Sequence, residues 1–367
     1  MNTTTLPSME GIFDNSVIRL NGKGKTVLVG NGQGLKMNAS IGLNSSAQLQ
    51  NELLKINAIA KNKNLPDLMM DLSTTRVQTP LYSLIGDILG CPVGTVPTYL
   101  CFNEAKGIEK DAILELIEEQ AENGVSFFTL HLTADLKLAE KSLARTIPII
   151  SRGGSLLLRD MKMNHRDENI LLQNIDEIIK ICKNHNMVIS VGTTFRPSTL
   201  SDAMDEVNVL EMERQKSICN YIIRHGVPVQ MEGIGHIPLH RLSEYVALLR
   251  NNLYIPFMPL GPIVSDRTAG YDHITAAIGG CAMAMLGGAD IINAVTREEH
   301  TGGIPTIESI IEAIDTAATA IKIVDDARFF NPDKKPNVQF HNCMGIPDQI
   351  GCSRCGIECP FLWNDNQ

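Results

Sequence analysis

DAILELIEEQAENGVSFFTLHL, residues 111–132, reads as a helix that runs straight into a strand. Apolar residues recur at helical spacing from Ile113 to Ala121, and Asn123-Gly124 supplies the stop, because glycine takes the left-handed conformation that closes a helix. Val125 to Leu132 is then almost continuously apolar, the pattern of a strand covered on both faces. His131 stands where that strand should end.

The same rhythm extends in both directions. Predicted strands lie at MVISVG (187–192), VPVQMEG (227–233), YIPFMPLG (254–261) and ADIINAVT (289–296). Amphipathic helices are predicted over 168–186, from Ser201 to His225 and from Thr306 to Arg328, with further stops at His225-Gly226 and Gly287-Gly288. Strands alternating with helices predict βα units and a parallel sheet. Chemically capable residues recur just past successive strands: His131, then Thr193, Thr194 and Arg196, then Glu232 and His236, then Asp266, then Thr296 to His300. An open doubly wound sheet collects such groups at one switch point, whereas a closed barrel collects them around one face. The expectation is therefore a (β/α)8 barrel over 35–330. It is preceded by an extension over 1–34, with short strands around a turn at Asn21 to Lys25, and followed by a tether and cysteine tail over 331–367. No GxGxxG or GxxxxGK[ST] follows a strand, which argues against a dinucleotide or P-loop site.

The 367 residues carry 44% apolar and 20% charged side chains, ordinary for a globular enzyme. The net charge of −9, without a basic run, argues against nucleic acid as a partner. No run of 18 or more apolar residues and no signal-like N-terminus is present, so a cytoplasmic protein away from membranes is expected. Six of the nine cysteines (Cys91, Cys101, Cys182, Cys219, Cys281, Cys343) are scattered singly and read as small buried hydrophobes.

The other three form Cys352-Ser-Arg-Cys355-Gly-Ile-Glu-Cys359. Thiols so close together can wrap three corners of a [4Fe–4S] cubane and leave one iron open, able to bind S-adenosylmethionine. Zinc is the rival; a closed structural site would draw a fourth ligand from Cys343 or His341. His236 and His300 close two neighbouring predicted strands, and imidazoles on one rim can share a divalent metal. His240 and His273 are weaker candidates, and His165, His185 and His225 are read as solvent-facing. Ser151-Arg152-Gly153-Gly154-Ser155 is read as a turn with free N–H groups and a fixed cation, suited to phosphate. Arg196 is expected to add a second guanidinium near the start of the following helix.

Taken together, KMNASIG (36–42), MDLST (70–74), PVGTVPTY (92–99), EEQAENGVSFFTLH (118–131), SRGGS (151–155), MEGIGHIPLH (231–240), LGPIVSDRTAGYDHITAAIG (260–279), TREEHTGGIP (296–305) and CSRCGIEC (352–359) resemble the ThiC family of radical S-adenosylmethionine enzymes. The resemblance implies a (β/α)8 barrel with a C-terminal cluster tail, a homodimer, and an electron donor such as flavodoxin or ferredoxin. It implies a phosphorylated imidazole riboside, aminoimidazole ribotide, as substrate and hydroxymethylpyrimidine phosphate for thiamine as product. A benzimidazole-forming relative uses the same substrate. Carried over residue by residue, Cys352, Cys355 and Cys359 resemble the cluster ligands, and His236 and His300 resemble a pair binding zinc or iron. Asn38, Met70, Tyr99, His131, Ser151, Arg152, Gly153, Arg196 and Glu232 resemble the ribotide contacts.

Four departures accompany the resemblance. The second cysteine gap is three residues rather than four, and Asp-Gly-Leu-Arg has become Thr193-Thr194-Phe195-Arg196. A substrate-contacting Tyr has become Met258, and Asn-Ile-Gly-Thr-Ser has become Ser40-Ile-Gly-Leu-Asn44. Two other classes stand beside the radical enzyme: a metal-dependent hydrolase built on His236 and His300, and a non-catalytic ribotide-binding paralogue.

Overall fold

The computed structural model describes residues 14–251 and 254–331. It begins with an antiparallel hairpin, β1 (Val17–Asn21) and β2 (Thr26–Gly30), the two short strands expected around the Asn21 to Lys25 turn.

The alternation then sets in. β3 (Lys36–Ile41) leads to α1 (Leu49–Ala60), β4 (Leu68–Asp71) to α2 (Leu81–Leu89), and β5 (Val93–Thr95) to α3 (Thr98–Cys101) and α4 (Lys110–Glu122). β6 (Phe127–Leu130) precedes α5 (Leu136–Ser142), α6 (Arg152–Met163), α7 (Ile170–Gln173) and α8 (Ile175–Asn184). β7 (Val188–Val191) leads to α9 (Glu206–Arg224), and β8 (Val229–His236) to α10 (Leu242–Arg250). β9 (Phe257–Ile263) leads to α11 (Asp272–Met285), and β10 (Ile291–Asn293) to α12 (Ile307–Arg328).

Each strand from β3 to β8 pairs in parallel with the next, and β10 pairs with β3 on the other side. β9 and β10 bring the two ends together: the Asp290 N–H donates to the Phe257 carbonyl at 3.0 Å, and Asn293 Nδ2 donates to the Pro259 carbonyl at 2.8 Å. Pro259 and Pro262 carry no N–H, so a regular ladder cannot run along this seam. The result is the (β/α)8 barrel that the alternation predicts.

The hairpin fills the base of the barrel. Its Ile18, Leu20, Val27 and Val29 pack with Leu68, Phe127, Val188 and Ile291, the first residues of four barrel strands. Asn15 locks the plug by exchanging two hydrogen bonds with the backbone of Val229, each close to 2.9 Å. Met258 is fully buried in this same interior cluster.

Two predicted helices differ from their expected spans. The 168–186 segment breaks at Asn174, whose side chain turns back to the Ile170 carbonyl at 2.7 Å. Competition of this kind between an amide side chain and the helix ladder favours helix ends. The segment expected from Ser201 starts at Glu206 instead, because Asp205 caps it by accepting from the Asn208 N–H and also holds Arg145 with both oxygens. Of the scattered cysteines, Cys91, Cys182 and Cys219 are buried as expected, while Cys101 and Cys281 are half-buried. Burial pushes the Cys91 thiol up to about 11, so it is inert at neutral pH. Cys343 lies outside the described residues.

Candidate active site at the barrel mouth

The strand ends that the sequence marks as chemically capable do converge. A cavity of about 470 Å³ opens among the loops that follow the barrel strands, with Met70, Tyr99, His131, Ser151, Arg152, Arg196, Glu232, His236 and His300 in its walls. Asn38 and Gly153 stand just behind that surface. Asn38 donates through Nδ2 to Asn293 Oδ1 at 2.7 Å, and Asn293 in turn lines the cavity.

Ser151 to Ser155 does not form a free turn. Arg152 begins α6, and the Ser151 hydroxyl caps the helix by accepting from the Gly154 N–H at 3.1 Å. The paired glycines serve close packing. A Cβ at Gly153 would sit 2.4 Å from the His131 ring, and one at Gly154 would sit 2.4 Å from the Thr194 methyl. The positive end of α6 is thereby pressed against the cavity, with Ser151 and the Arg152 guanidinium at its rim. Arg196 also differs from expectation. It lies in the loop after β7, ten residues ahead of α9, and reaches the cavity from a strand end instead of a helix start.

His131 is neutral. Burial, helped by the nearby Arg196 charge, drives its pKa down to about 3, and its Nδ1 has no hydrogen-bond partner among the described residues. Glu232 is also deeply buried. Burial pushes its carboxyl up, opposed by hydroxyls from Thr129 and Ser190 that both donate to Oε1 at 2.7 Å, and by Arg196.

Behind this wall sits Glu211 of α9, a fully buried carboxylate. It accepts from the Thr133 and Thr193 hydroxyls at 2.6 Å each and from the N–H groups of Thr194 at 2.6 Å and Phe195 at 2.9 Å. Burial raises its pKa, and these four donors act against that rise. One helical turn further on, Gln215 Nε2 donates to the carbonyls of Val191, Gly192 and Glu232. α9 thus fixes the ends of β6, β7 and β8 together. Thr193, where the family motif has a carboxylate, faces Glu211 and is absent from the cavity wall.

The opposite wall carries the histidine pair. A bulge at Ile234 and Gly235, with φ of 71° and 104°, re-aims the end of β8 and delivers His236 to the cavity. His236 Nδ1 lies 2.7 Å from Asp266, and His300 Nδ1 lies 2.7 Å from Asp272 at the start of α11. Burial lowers His236's pKa, and its bond to Asp266 opposes that shift. A carboxylate at Nδ1 makes that nitrogen the donor and leaves the Nε2 lone pair outward. The two Nε2 atoms then face each other at 3.0 Å. Two lone pairs at that separation repel, and a cation bound by both relieves the repulsion. The donor set therefore fits a divalent metal with two imidazole ligands and further positions for water or substrate. Among the described residues no cluster of three or more ligating side chains is present.

Sequence reading missed Thr129, Ser190, Glu211, Gln215 and Asp272. The first two occupy inward positions on strands, where alternation could have singled them out. Glu211 and Gln215, one turn apart on a buried helix face, could have been read as polar residues in need of partners. Cys352, Cys355 and Cys359 lie outside the described residues. No helix among the described residues is long and apolar enough to cross a membrane.

Comparison with known proteins agrees with this geometry. The chain is 35% identical to the phosphomethylpyrimidine synthase of Ignicoccus hospitalis over 93% of its own length and 85% of that protein. It is 34% identical to the phosphomethylpyrimidine synthase of Carboxydothermus hydrogenoformans over 82% of its length and 71% of that protein. With that of Thermodesulfovibrio yellowstonii the identity is 34%, over 95% of this chain and 92% of the relative. The model of the Radical SAM ThiC family matches residues 12–361, and this chain belongs to that family.

Proposed function

We propose that this protein rearranges 5-aminoimidazole ribotide to 4-amino-5-hydroxymethyl-2-methylpyrimidine phosphate, the thiamine pyrimidine precursor, by S-adenosylmethionine radical chemistry. The observation that carries the reading is the makeup of the cavity. Arg152, Arg196 and the N-terminal end of α6 suit a phosphate, while Glu232 on the facing strand suits an exocyclic amine. Tyr99 and Met70 offer aromatic and apolar surface to a ring in the cavity, and neutral His131 offers a lone pair or an N–H without adding charge.

Cys352, Cys355 and Cys359, in the proposed tail over 331–367, have the thiolate chemistry to hold a [4Fe–4S] cluster with one iron open. When bound there, the cluster supplies the electron that cleaves S-adenosylmethionine, drawn from flavodoxin or ferredoxin. His236 and His300 hold a zinc or iron ion. Asp266 and Asp272 hold the two rings through Nδ1 and aim both Nε2 atoms at the cavity. The barrel residues therefore bind and orient the ribotide.

The two departures nearest the substrate support the ribotide over a new one. Thr193 is committed to Glu211, and Met258 is sunk in the barrel interior, so neither reshapes the cavity wall in this chain. A homodimer is part of the reading. It is supported by an apolar face on α11 and α12, where Ile274, Ile278, Met285 and Ile323 are all more than 40% exposed. A cytoplasmic location fits the need for reduced thiols.

The decisive experiment is anaerobic reconstitution with iron, sulfide, S-adenosylmethionine and aminoimidazole ribotide under reducing conditions. Mass spectrometry should find 5′-deoxyadenosine and the pyrimidine phosphate. A benzimidazole product would keep the chemistry and change the pathway. Absence of 5′-deoxyadenosine would remove the proposal. Colourless protein holding zinc in place of about four irons per chain would favour a metal-dependent hydrolase.

A further inference from the structure

Glu232 is bonded asymmetrically. Thr129 on β6 and Ser190 on β7 both donate to the same oxygen, Oε1, at 2.7 Å. No hydrogen bond to Oε2 is found among the described residues, and Glu232 lines the cavity. One layer deeper in the barrel, Gln230 shares the inward face of β8, and its Nε2 donates to the Ser190 hydroxyl at 3.1 Å. That contact occupies an acceptor site on the Ser190 oxygen, so the Ser190 proton is directed to Glu232. Gln215 holds the Glu232 main chain from behind, through a 2.7 Å bond to its carbonyl. The side chain is thereby fixed at its backbone and at one oxygen.

We infer that Thr129 and Ser190, the latter oriented by Gln230, are positioning residues that bind one oxygen of Glu232 and reserve the other, Oε2, for the ligand in the cavity. Nothing in the family resemblance assigns them a role. The inference rests on the proposed function only in taking that ligand's group to be an amine. Its physical basis is independent of that choice. An oxygen already accepting two O–H bonds is a poor site for a proton, so any proton that Glu232 takes up goes to Oε2. The two hydroxyls also favour the ionised form, the only form in which Oε2 accepts without competition from its own proton. The charged and titratable groups sharing the cavity with Glu232 are Arg196 after β7, His131 after β6, Tyr99 on α3, Arg152 on α6, His236 at the end of β8, and Glu299 and His300 after β10. The Arg196 guanidinium also favours the carboxylate, and His131 is neutral.

Thr129→Val and Ser190→Ala each remove a hydroxyl with little change in volume, whereas Thr129→Ser keeps it. The test is carboxyl NMR of protein labelled with ¹³C-glutamate, with the Glu232 signal assigned by its loss in Glu232→Gln. The Glu232 midpoint should rise by about one pH unit in Thr129→Val and again in Ser190→Ala, and stay within a few tenths in Thr129→Ser. Calorimetry with aminoimidazole ribotide should show about tenfold weaker binding in the two hydroxyl-free variants, with Thr129→Ser close to wild type. Midpoints that do not move in folded Thr129→Val and Ser190→Ala would overturn the inference. So would equal weakening in Thr129→Val and Thr129→Ser, since that reports packing. If the wild type binds no ribotide at all, the proposed substrate fails, while the NMR titration still decides the positioning role.

Discussion

The two walls of the cavity use carboxylates in opposite ways. On the β6–β8 side, Glu211 and Glu232 accept from hydroxyls and backbone N–H groups, and those groups lock loops in place. On the β8–β10 side, Asp266 and Asp272 accept from imidazole Nδ1 atoms, and the result is a pair of lone pairs pointing at each other. The first wall is held by its own hydrogen bonds, with Glu232 Oε2 and His131 Nδ1 left without a partner among the described residues. The second is satisfied only by something added. A site that must hold one molecule in a single orientation while coordinating an ion needs both kinds of wall, and the chain builds them on opposite sides of β8.

The comparison breaks most readily at the histidines. His300→Ala or His236→Ala should abolish binding of the second metal, by at least about a thousandfold, whereas Asp272→Asn should cost about 10–100-fold because the ligand stays and only its orientation is lost. Metal content after dialysis against a graded chelator series separates the cases, and an unchanged Asp272→Asn would mean that the carboxylates do not tune this wall. On the other side, Glu211→Ala leaves two N–H groups and two hydroxyls without an acceptor and should destabilise the fold by roughly 3–5 kcal/mol in urea unfolding. Thr193→Val removes one of those donors and should cost nearer 1 kcal/mol. Gly153→Ala forces a methyl into the His131 ring and should cost about 2 kcal/mol, with weaker ribotide binding as α6 is pushed back.

A smaller effect concerns pH. His131 has a folded-state pKa near 3 against the ordinary 6.5, so the unfolded chain binds the proton first as pH falls. The stability that depends on a neutral His131 is complete above pH 6.5 and declines below it, by about 2 kcal/mol at pH 5. Unfolding curves of wild type and His131→Asn at both pH values isolate this share, and parallel curves would show that His131 is not buried as described.

Much of the barrel was legible because it repeats. Asn123-Gly124, His225-Gly226 and Gly287-Gly288 each mark a helix end, and each is followed by a strand that the structure contains. The rim was legible for a related reason: polar residues placed after apolar runs must end up at strand ends. What stayed hidden depends on tertiary distance. Ser151-Arg152-Gly153-Gly154 looks like a loop because glycine is a poor helix former, and only the nearness of the His131 ring explains why glycine is kept in the first turn. Glu211 looks like one more charged residue on an exposed helix until its four donors, from residues up to 78 positions away, are seen around it. The Thr193 departure reads as a lost substrate contact in one dimension and as a partner for Glu211 in three.

The hairpin under the barrel carries a consequence for traffic. With Ile18, Leu20 and Val29 filling the floor and Asn15 latched to β8, the described residues close the base of the barrel. Whatever enters by the mouth must leave by it. Turnover is therefore a queue at a single doorway: spent product has to clear before the next reactant can enter, and product is expected to behave as a competitor of reactant in steady-state kinetics.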